Sequence, residues 1–276
     1  MSTVTLPAAQ RGGFLKTFDE IGVFIWRNLA HIPRVPERLL DVTVQPIMFV
    51  LLFGFIFGSA IDVKGGNYRE FLMAGIFIQT LAFQSMTTAV GVFNDFSEAV
   101  IDRFRALPIS RISILVGRAV ASLIEGFLGI VVMAICGLVV GWAPHGTFPE
   151  TLAALGIMIY FAFAMICLGT LLGLLVRSVG TAQTIGFVLI FPLSFASNAF
   201  VPIDNMPWVV RFITDWSPVT PVVEALRQLF GNPNPIPANA PWPLQHPIEA
   251  SLLWCTVLTV IGLGLAVWRY GARSRS

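Results

Sequence analysis

Six long apolar runs divide the chain, and each is close to the roughly 20 residues that a helix needs to cross a bilayer core. Charged or proline-rich stretches separate the runs. This pattern predicts an all-α integral membrane protein with a transmembrane domain over residues 42–269 and a short tail at 270–276. The predicted spans are residues 42–61, 71–93, 119–142, 151–176, 182–203 and 250–268.

Residues 1–41 follow a different pattern. Phe14, Phe18, Ile21 and Ile25 recur at steps of three and four, which places them on one stripe of a helix. Charged residues occupy the other side of that helix. The pattern predicts an amphipathic helix lying in the cytoplasmic membrane interface. A soluble arm that packs against a partner is the alternative.

Residues 204–248 form an outer segment that carries nine of the eighteen prolines. Residues 206–216 and 222–230 have short helical patterns rich in aromatic residues, whereas 231–247 lack periodicity and predict a loop. Two short extracellular helices can lie partly in the headgroup layer or cap a pathway from outside. A lid that only shields the bundle is the other interpretation.

The most charged stretch between two spans is residues 94–118, with three acidic residues and four arginines. In a helix starting at Phe96, Val100, Phe104 and Leu107 share one stripe, and Pro108 then ends the helix. A short amphipathic helix at the cytoplasmic face can place its apolar ridge in a groove of a soluble partner. The alternative is a solvated loop whose arginines only orient the chain.

Composition supports the membrane prediction. The chain is 56% hydrophobic and 12% charged, against about 25% charged residues in a typical soluble domain. A net charge of +2 is too small to indicate nucleic-acid binding. With a cytoplasmic N-terminus, 13 Lys and Arg residues fall on inner segments and four on outer ones, which predicts that both termini are cytoplasmic.

Catalytic and metal-binding patterns are missing from the sequence. The three cysteines lie inside apolar runs, without metal-ligand spacing. A phosphate-binding loop of the form G-x-x-x-x-G-K-[ST] needs a lysine, and neither Lys16 nor Lys64 has that context. We therefore expect no catalytic residues, metal or cofactor in this chain, and any ATP hydrolysis on a separate polypeptide.

Polar residues inside the predicted spans are candidates for a substrate pathway, because they are costly to place in lipid. Interhelical hydrogen bonding is the alternative role for each. Glu125 is the only acidic residue deep within a predicted span, and it either pairs with a basic group or faces a hydrated cavity that accepts a cationic substrate. The candidates are Thr80, Gln84, Thr87, Thr88, Glu125, Ser194, Ser197 and Asn198.

Three pairs of glycines have the G-x-x-x-G spacing that lets helices approach closely. They are Gly54 and Gly58, Gly137 and Gly141, and Gly169 and Gly173.

Four blocks of the sequence together resemble a known family. They are EAVIDRFRALPISRISILVGR at 98–118 and the segments 68–83, 197–208 and 215–232. The chain from about residue 14 to 268 is similar to the permease subunit of type-2 ABC exporters, in the daunorubicin/doxorubicin-resistance group.

The resemblance implies two permease protomers, identical or homologous, around a central pathway, with two ATPase subunits beneath them that bind ATP and Mg. It implies a cytoplasmic coupling helix between spans two and three that docks on the ATPase. The first and fifth spans tend to form the dimer contact, which makes Gly54 and Gly58 candidates there. The implied coupling residues are Glu98, Asp102, Arg103, Phe104, Arg105, Leu107 and Pro108.

The function expected from the sequence is that of the membrane subunit of an ATP-driven exporter, multi-pass in a prokaryotic cell membrane. Its cargo would be an amphipathic or hydrophobic drug or lipid, moved by alternating access. A secondary transporter or channel driven by an ion gradient is the alternative. Proton relays usually contain several ionisable groups within the membrane, and only one acidic residue lies deep in a predicted span.

Overall fold

The computed structural model describes residues 44, 47–57, 63, 66–96, 111–203, 206–236 and 240–273. These residues form helices joined by short connections, and among them the one β-type pairing is an isolated bridge between Val63 and Gly66. The helices are α1 (Ile47–Ile56), α2 (Tyr68–Asp95), α3 (Arg111–Val140), α4 (Phe148–Leu175), α5 (Val179–Phe195), α6 (Trp208–Asp215), α7 (Val219–Phe230), α8 (Trp242–Gln245) and α9 (Pro247–Arg273).

Short polar side chains fix where the long helices begin. The Asn67 side chain accepts a hydrogen bond from the Arg69 backbone N–H at the start of α2, and Ser178 accepts one from the Thr181 N–H at the start of α5. Thr147 and Glu150 form a capping box at the start of α4. These caps satisfy backbone donors that a helix start leaves without partners.

Helices α2 and α4 form the centre of the bundle and pack along each other. Glycines permit this approach: a Cβ at Gly169 would lie 2.3 Å from the Ser85 carbonyl oxygen, and one at Gly173 would lie 2.5 Å from the Ala89 oxygen. Helix α9 packs on α4, α5 on α2, and α3 against both central helices. The predicted role of Gly169 and Gly173 in close helix packing is therefore confirmed.

Four described helices are long and apolar enough to cross a membrane, namely α2, α3, α4 and α9. Helices α1 and α5 are apolar but shorter, so the count of six spans stays a prediction. Helix α5 ends at Phe195, although the predicted span runs to residue 203. Pro192 lies in its last turn, and residues 196–203 continue as irregular chain. The N-terminal amphipathic helix falls outside the described residues.

The two short helices predicted in the outer segment are present as α6 and α7, but they differ in their surroundings. Helix α6 exposes its aromatic residues, with Trp208 81% and Phe212 66% exposed. Helix α7 is buried against α9, α4 and α2. The loop predicted at 231–247 is corrected in part, because α8 forms one helical turn there and α9 already begins at Pro247.

Candidate transport path and coupling end

The most connected polar group in the described structure is a fully buried arginine on α7. Arg227 donates through Nε to the Phe71 carbonyl oxygen at 3.0 Å and through Nη2 to the Asn198 and Ala199 carbonyl oxygens at 2.8 and 3.2 Å. Its Nη1 donates to Glu224 Oε1 at 3.2 Å. The guanidinium carbon lies 3.5 Å from the centroid of the Phe71 ring. One side chain thus ties α7 to α2 and to the chain that follows α5.

Charge is balanced within this buried group. Glu224 is 2% exposed and also accepts a hydrogen bond from the Asn198 side chain. Burial raises the pKa of Glu224, and the neighbouring Arg227 charge opposes that rise. Burial lowers the pKa of Arg227 to about 10, so the guanidinium stays charged at neutral pH. We call Asn198, Glu224 and Arg227 the outer cluster, after the side on which the Lys/Arg distribution predicts it.

The end of α7 is held by further hydrogen bonds. Gly231 adopts a left-handed conformation (φ 64°) that ends the helix and lets the chain turn back. Asn232 then accepts a hydrogen bond from Trp142 Nε1 at 2.8 Å and donates to the Ala143 carbonyl oxygen at 3.0 Å. The Phe230 carbonyl oxygen accepts from the His145 and Gly146 N–H groups. The α3–α4 connection and α7 therefore form one packed unit.

The opposite end of the bundle has a polar contact between α3 and α2. Arg118 on α3 crosses α2 at Gly91 and donates to Asp95 Oδ2 at 3.3 Å. A Cβ at Gly91 would lie 1.4 Å from Arg118 Nη2, so a larger residue there would force the guanidinium to shift. Asp95 and Arg118 flank the predicted coupling segment. The coupling residues themselves (Glu98, Asp102, Arg103, Phe104, Arg105, Leu107 and Pro108) lie outside the described residues.

The polar candidates of span two face different surroundings. Thr80 and Thr87 bond back to carbonyl oxygens of their own helix at 2.9 Å. Gln84 donates to the Ser122 carbonyl oxygen on α3, and Thr88 lies 3.4 Å from the Ser122 hydroxyl. Gln84 and Thr88 thus connect α2 with α3, whereas Thr87 is exposed.

The span-five candidates lie at the outer cluster. Ser194, Ser197 and Asn198 are each 1% exposed, and the Ser197 hydroxyl donates to the Ser194 carbonyl oxygen at 2.5 Å. Glu125 is half-buried on α3. Gly54 on α1 is buried with no tight contact, since a Cβ there would lie 3.8 Å from Val140 Cγ1, and Gly58 lies outside the described residues.

An open groove of about 430 Å³ runs between α2 and α5 in the half nearer the coupling segment. Two polar side chains and three apolar ones line it, namely Gln183, Thr184, Met86, Phe187 and Val188.

Sequence reasoning identifies Asn198 as a polar candidate but misses Glu224 and Arg227, the charged pair of the outer cluster. In the sequence, Arg227 is one of the four outer basic residues that orient the chain, and Glu125 is the only acidic residue deep in a predicted span. Glu224 and Arg227 lie between predicted spans, so a scan for charges inside spans passes over them. Their three-residue spacing on a helix was the available signal, because it places acid and base on one face.

Comparison with known proteins gives the class. The family model for the ABC-2 type transporter matches residues 19–230, which is most of the chain. The chain therefore belongs to the ABC-2 type transporter family, as a membrane permease. The matched residues include the outer cluster, the Arg118–Asp95 ion pair and the predicted coupling segment.

Individual relatives agree with this family. The chain is 26% identical over 206 residues to the daunorubicin resistance ABC transporter permease protein DrrB1 of Streptomyces coeruleorubidus, covering 75% of this chain and 73% of that protein. It is 26% identical to the putative transport permease ycf38 of Cyanophora paradoxa, covering 78% and 75%. It is 23% identical to the doxorubicin resistance ABC transporter permease protein DrrB of Mycobacterium tuberculosis, covering 86% and 84%.

Proposed function

We propose that this chain is the membrane subunit of an ATP-driven exporter that moves an amphipathic or hydrophobic drug or lipid out of the cytoplasm or inner leaflet. The family match over residues 19–230 carries the proposal. Two relatives are named for resistance to daunorubicin or doxorubicin, which favours an amphipathic cargo. Two copies of the permease, or this chain and a homologue, would pair in the cell membrane above two ATPase subunits.

Energy enters from the ATPase partners in this proposal, because the sequence has no phosphate-binding loop. The coupling residues between α2 and α3 would dock on those subunits, with the ridge at Phe104 and Leu107 in a groove. The partner subunits would hold ATP and Mg. The purified chain alone should then hydrolyse no ATP above a mock preparation.

The described residues suggest which part of a protomer would move during alternating access and which part would stay rigid. The outer cluster joins α2, α7 and the end of α5 through a buried ion pair and five further hydrogen bonds or ring contacts of Arg227 and Glu224. At the inner end, the described residues include an ion pair between Arg118 and Asp95, whose side chains are 15% and 13% exposed. We infer that the outer unit moves as a block, while rearrangement is concentrated at the inner end, where the predicted coupling segment would receive the motion of the ATPase.

The test measures export and ATP hydrolysis on the same reconstituted permease–ATPase complexes. Phe104→Ala should reduce co-purification with the ATPase or uncouple hydrolysis from export, because losing a buried aromatic anchor commonly costs about 2 kcal/mol or more at an interface. Glu98→Arg should do the same by reversing a charge at the contact. Phe127→Ala is a matched control on the exposed face of α3.

Wild-type export by both coupling variants, at matched protein amounts, would remove Glu98 and Phe104 from the coupling contact. ATP hydrolysis by the isolated permease would contradict the proposal that hydrolysis occurs on separate ATPase subunits.

A further inference from the structure

We propose that Glu224 of the outer cluster is a proton-binding site, through which the pH of the outer compartment sets the stability of the outer unit. A proton from outside binds Glu224 Oε2, and the charge of the cluster changes from zero to plus one. This regulation goes beyond the export function, since it needs neither cargo nor ATPase. Three features of the described residues support it: a carboxylate oxygen without a donor, acceptors beside it, and an arginine that does not depend on the carboxylate charge.

One oxygen of the Glu224 carboxylate lacks a hydrogen-bond donor. Glu224 Oε1 accepts from the Asn198 side chain and from Arg227 Nη1. Glu224 Oε2 has no partner among the described residues, although the residue is only 2% exposed. A buried oxygen that carries negative charge and lacks a donor is costly, because it has lost its water. A proton on Oε2 removes that charge and turns the oxygen into a donor.

Acceptors for such a proton lie beside the carboxylate. Thr220 precedes Glu224 by one turn on the same face of α7, and its buried Oγ1 has no partner within the described ranges. The Asn234 side chain is close enough to Glu224 to act on its pKa, and Asn234 Oδ1 is also buried without a partner in that part of the chain. A protonated Glu224 can donate to these oxygens, whereas a carboxylate cannot.

The arginine keeps its interactions when the carboxylate is neutral. Besides Glu224, Arg227 donates to three backbone carbonyl oxygens, those of Phe71, Asn198 and Ala199. Its guanidinium also lies over the Phe71 ring. Carbonyl oxygens and an aromatic face stabilise a cation without carrying a charge themselves. A protonated Glu224 still offers Oε1 to Arg227 Nη1. Proton uptake therefore leaves the contacts of Arg227 in place.

The surroundings of Glu224 set the direction of the pH effect. Burial raises the pKa of Glu224, and the Arg227 charge and the hydrogen bonds to the carboxylate oppose that rise. Among the described residues, Arg227 is the charged side chain that acts on this pKa, and Tyr68 of α2 acts on Arg227 in turn. Because the folded state has the higher pKa, its added stability is complete below the pKa of the unfolded chain. That stability is lost as pH rises through the pKa of the folded chain.

The test is infrared difference spectroscopy on the purified full-length permease, which follows the C=O stretch of protonated carboxyl groups during a pH titration. Exposed acidic residues titrate near about pH 4. We expect a carboxyl band that grows at higher pH than those residues in the wild type and is absent in Glu224→Gln. Asn198→Ala should move the midpoint of this band to higher pH, because it removes a hydrogen bond to the charged form.

Asp215→Asn is the matched control. Asp215 is a second acidic residue of the outer segment whose pKa is raised by burial, and its side chain is 13% exposed. Its replacement should leave the Glu224 band unchanged. Thermal unfolding gives a second readout on the same proteins. Lowering the pH through the titration of the band should raise the wild-type Tm by about 2 °C or more relative to Glu224→Gln.

The inference is wrong if the band persists in Glu224→Gln, if no band precedes the titration of exposed acidic residues, or if the band is already complete at neutral pH. Should Glu224→Gln not fold, Asn198→Ala decides, because an unshifted midpoint would assign the proton to another group. A water molecule bound at Oε2 is the competing occupant, and it would leave the carboxylate ionised throughout. These measurements use the permease without its ATPase, so a negative result leaves the proposed export function unaffected.

Discussion

Two ion pairs at opposite ends of the bundle show how differently this chain uses charge. Arg227 and Glu224 have side chains 0% and 2% exposed, and their partners come from three separate parts of the chain. Arg118 and Asp95 have side chains 15% and 13% exposed. Removing one member of a fully buried pair leaves an uncompensated charge, and the cost falls as the remaining charge gains access to solvent. The difference indicates a fixed outer unit, and we expect movement at the inner end because the predicted coupling segment begins there.

The comparison is tested most severely by removing the buried arginine. Arg227→Met should destabilise the permease by about 3–5 kcal/mol, because Glu224 is left buried without its partner. The double variant Arg227→Met, Glu224→Gln should recover much of that loss, since neither charge remains. Thermal unfolding in detergent measures the stability of the single and the double variant. A single variant no less stable than Arg118→Ala would contradict the difference between the two ends.

A glycine series sharpens the account of the central packing. Gly169→Ala should cost about 1–3 kcal/mol, because the added Cβ would meet the Ser85 carbonyl oxygen at 2.3 Å and force α2 and α4 apart. Gly156→Ala on the same helix is the control, since nothing lies within 4 Å of a Cβ there. Equal stability of the two variants in the same unfolding assay would mean that α2 and α4 do not depend on this contact.

The smallest effect on stability is expected at the inner end. Arg118→Ala should cost less unfolding free energy than Arg227→Met, because the Arg118 and Asp95 side chains are 15% and 13% exposed, whereas those of Arg227 and Glu224 are 0% and 2% exposed. It should nevertheless reduce export per ATP hydrolysed, since the pair flanks the predicted coupling segment. Asp95→Asn, which also removes the ion pair, should behave alike. A large stability loss without a change in coupling would reverse the roles assigned to the two ends.

The sequence predicted the long helices well, because apolar runs and glycine spacing report helix length and close packing directly. It placed Gly169 and Gly173 at a tight contact without any knowledge of their partner. It failed at Arg227, whose surroundings depend on how α7 folds back between α2, α4 and α9. The same holds for the stacked rings of Phe187, Phe191 and Phe195 on α5, because whether rings every four residues stay exposed is decided by which neighbours cover that face.

Pro192 marks a region where the sequence predicts some features of the structure and misses others. The sequence predicts a span that runs to residue 203, yet α5 ends three residues after Pro192, at Phe195, because a proline inside a helix removes a backbone hydrogen bond. It does not indicate that Asn198, just beyond, bonds Glu224 from α7. Long-range polar contacts of this kind need the whole chain to be in place before they exist.

The most direct test of the central claim compares distances within one protomer during the ATP cycle. Spin labels at exposed Phe148 and Gln228 report on the outer unit, and labels at exposed Val116 and Arg177 report on the inner end. In complexes with the ATPase, the account predicts that ATP shifts the inner distance by about 2 Å or more, while the outer distance stays unchanged. An outer shift as large as the inner one would contradict it.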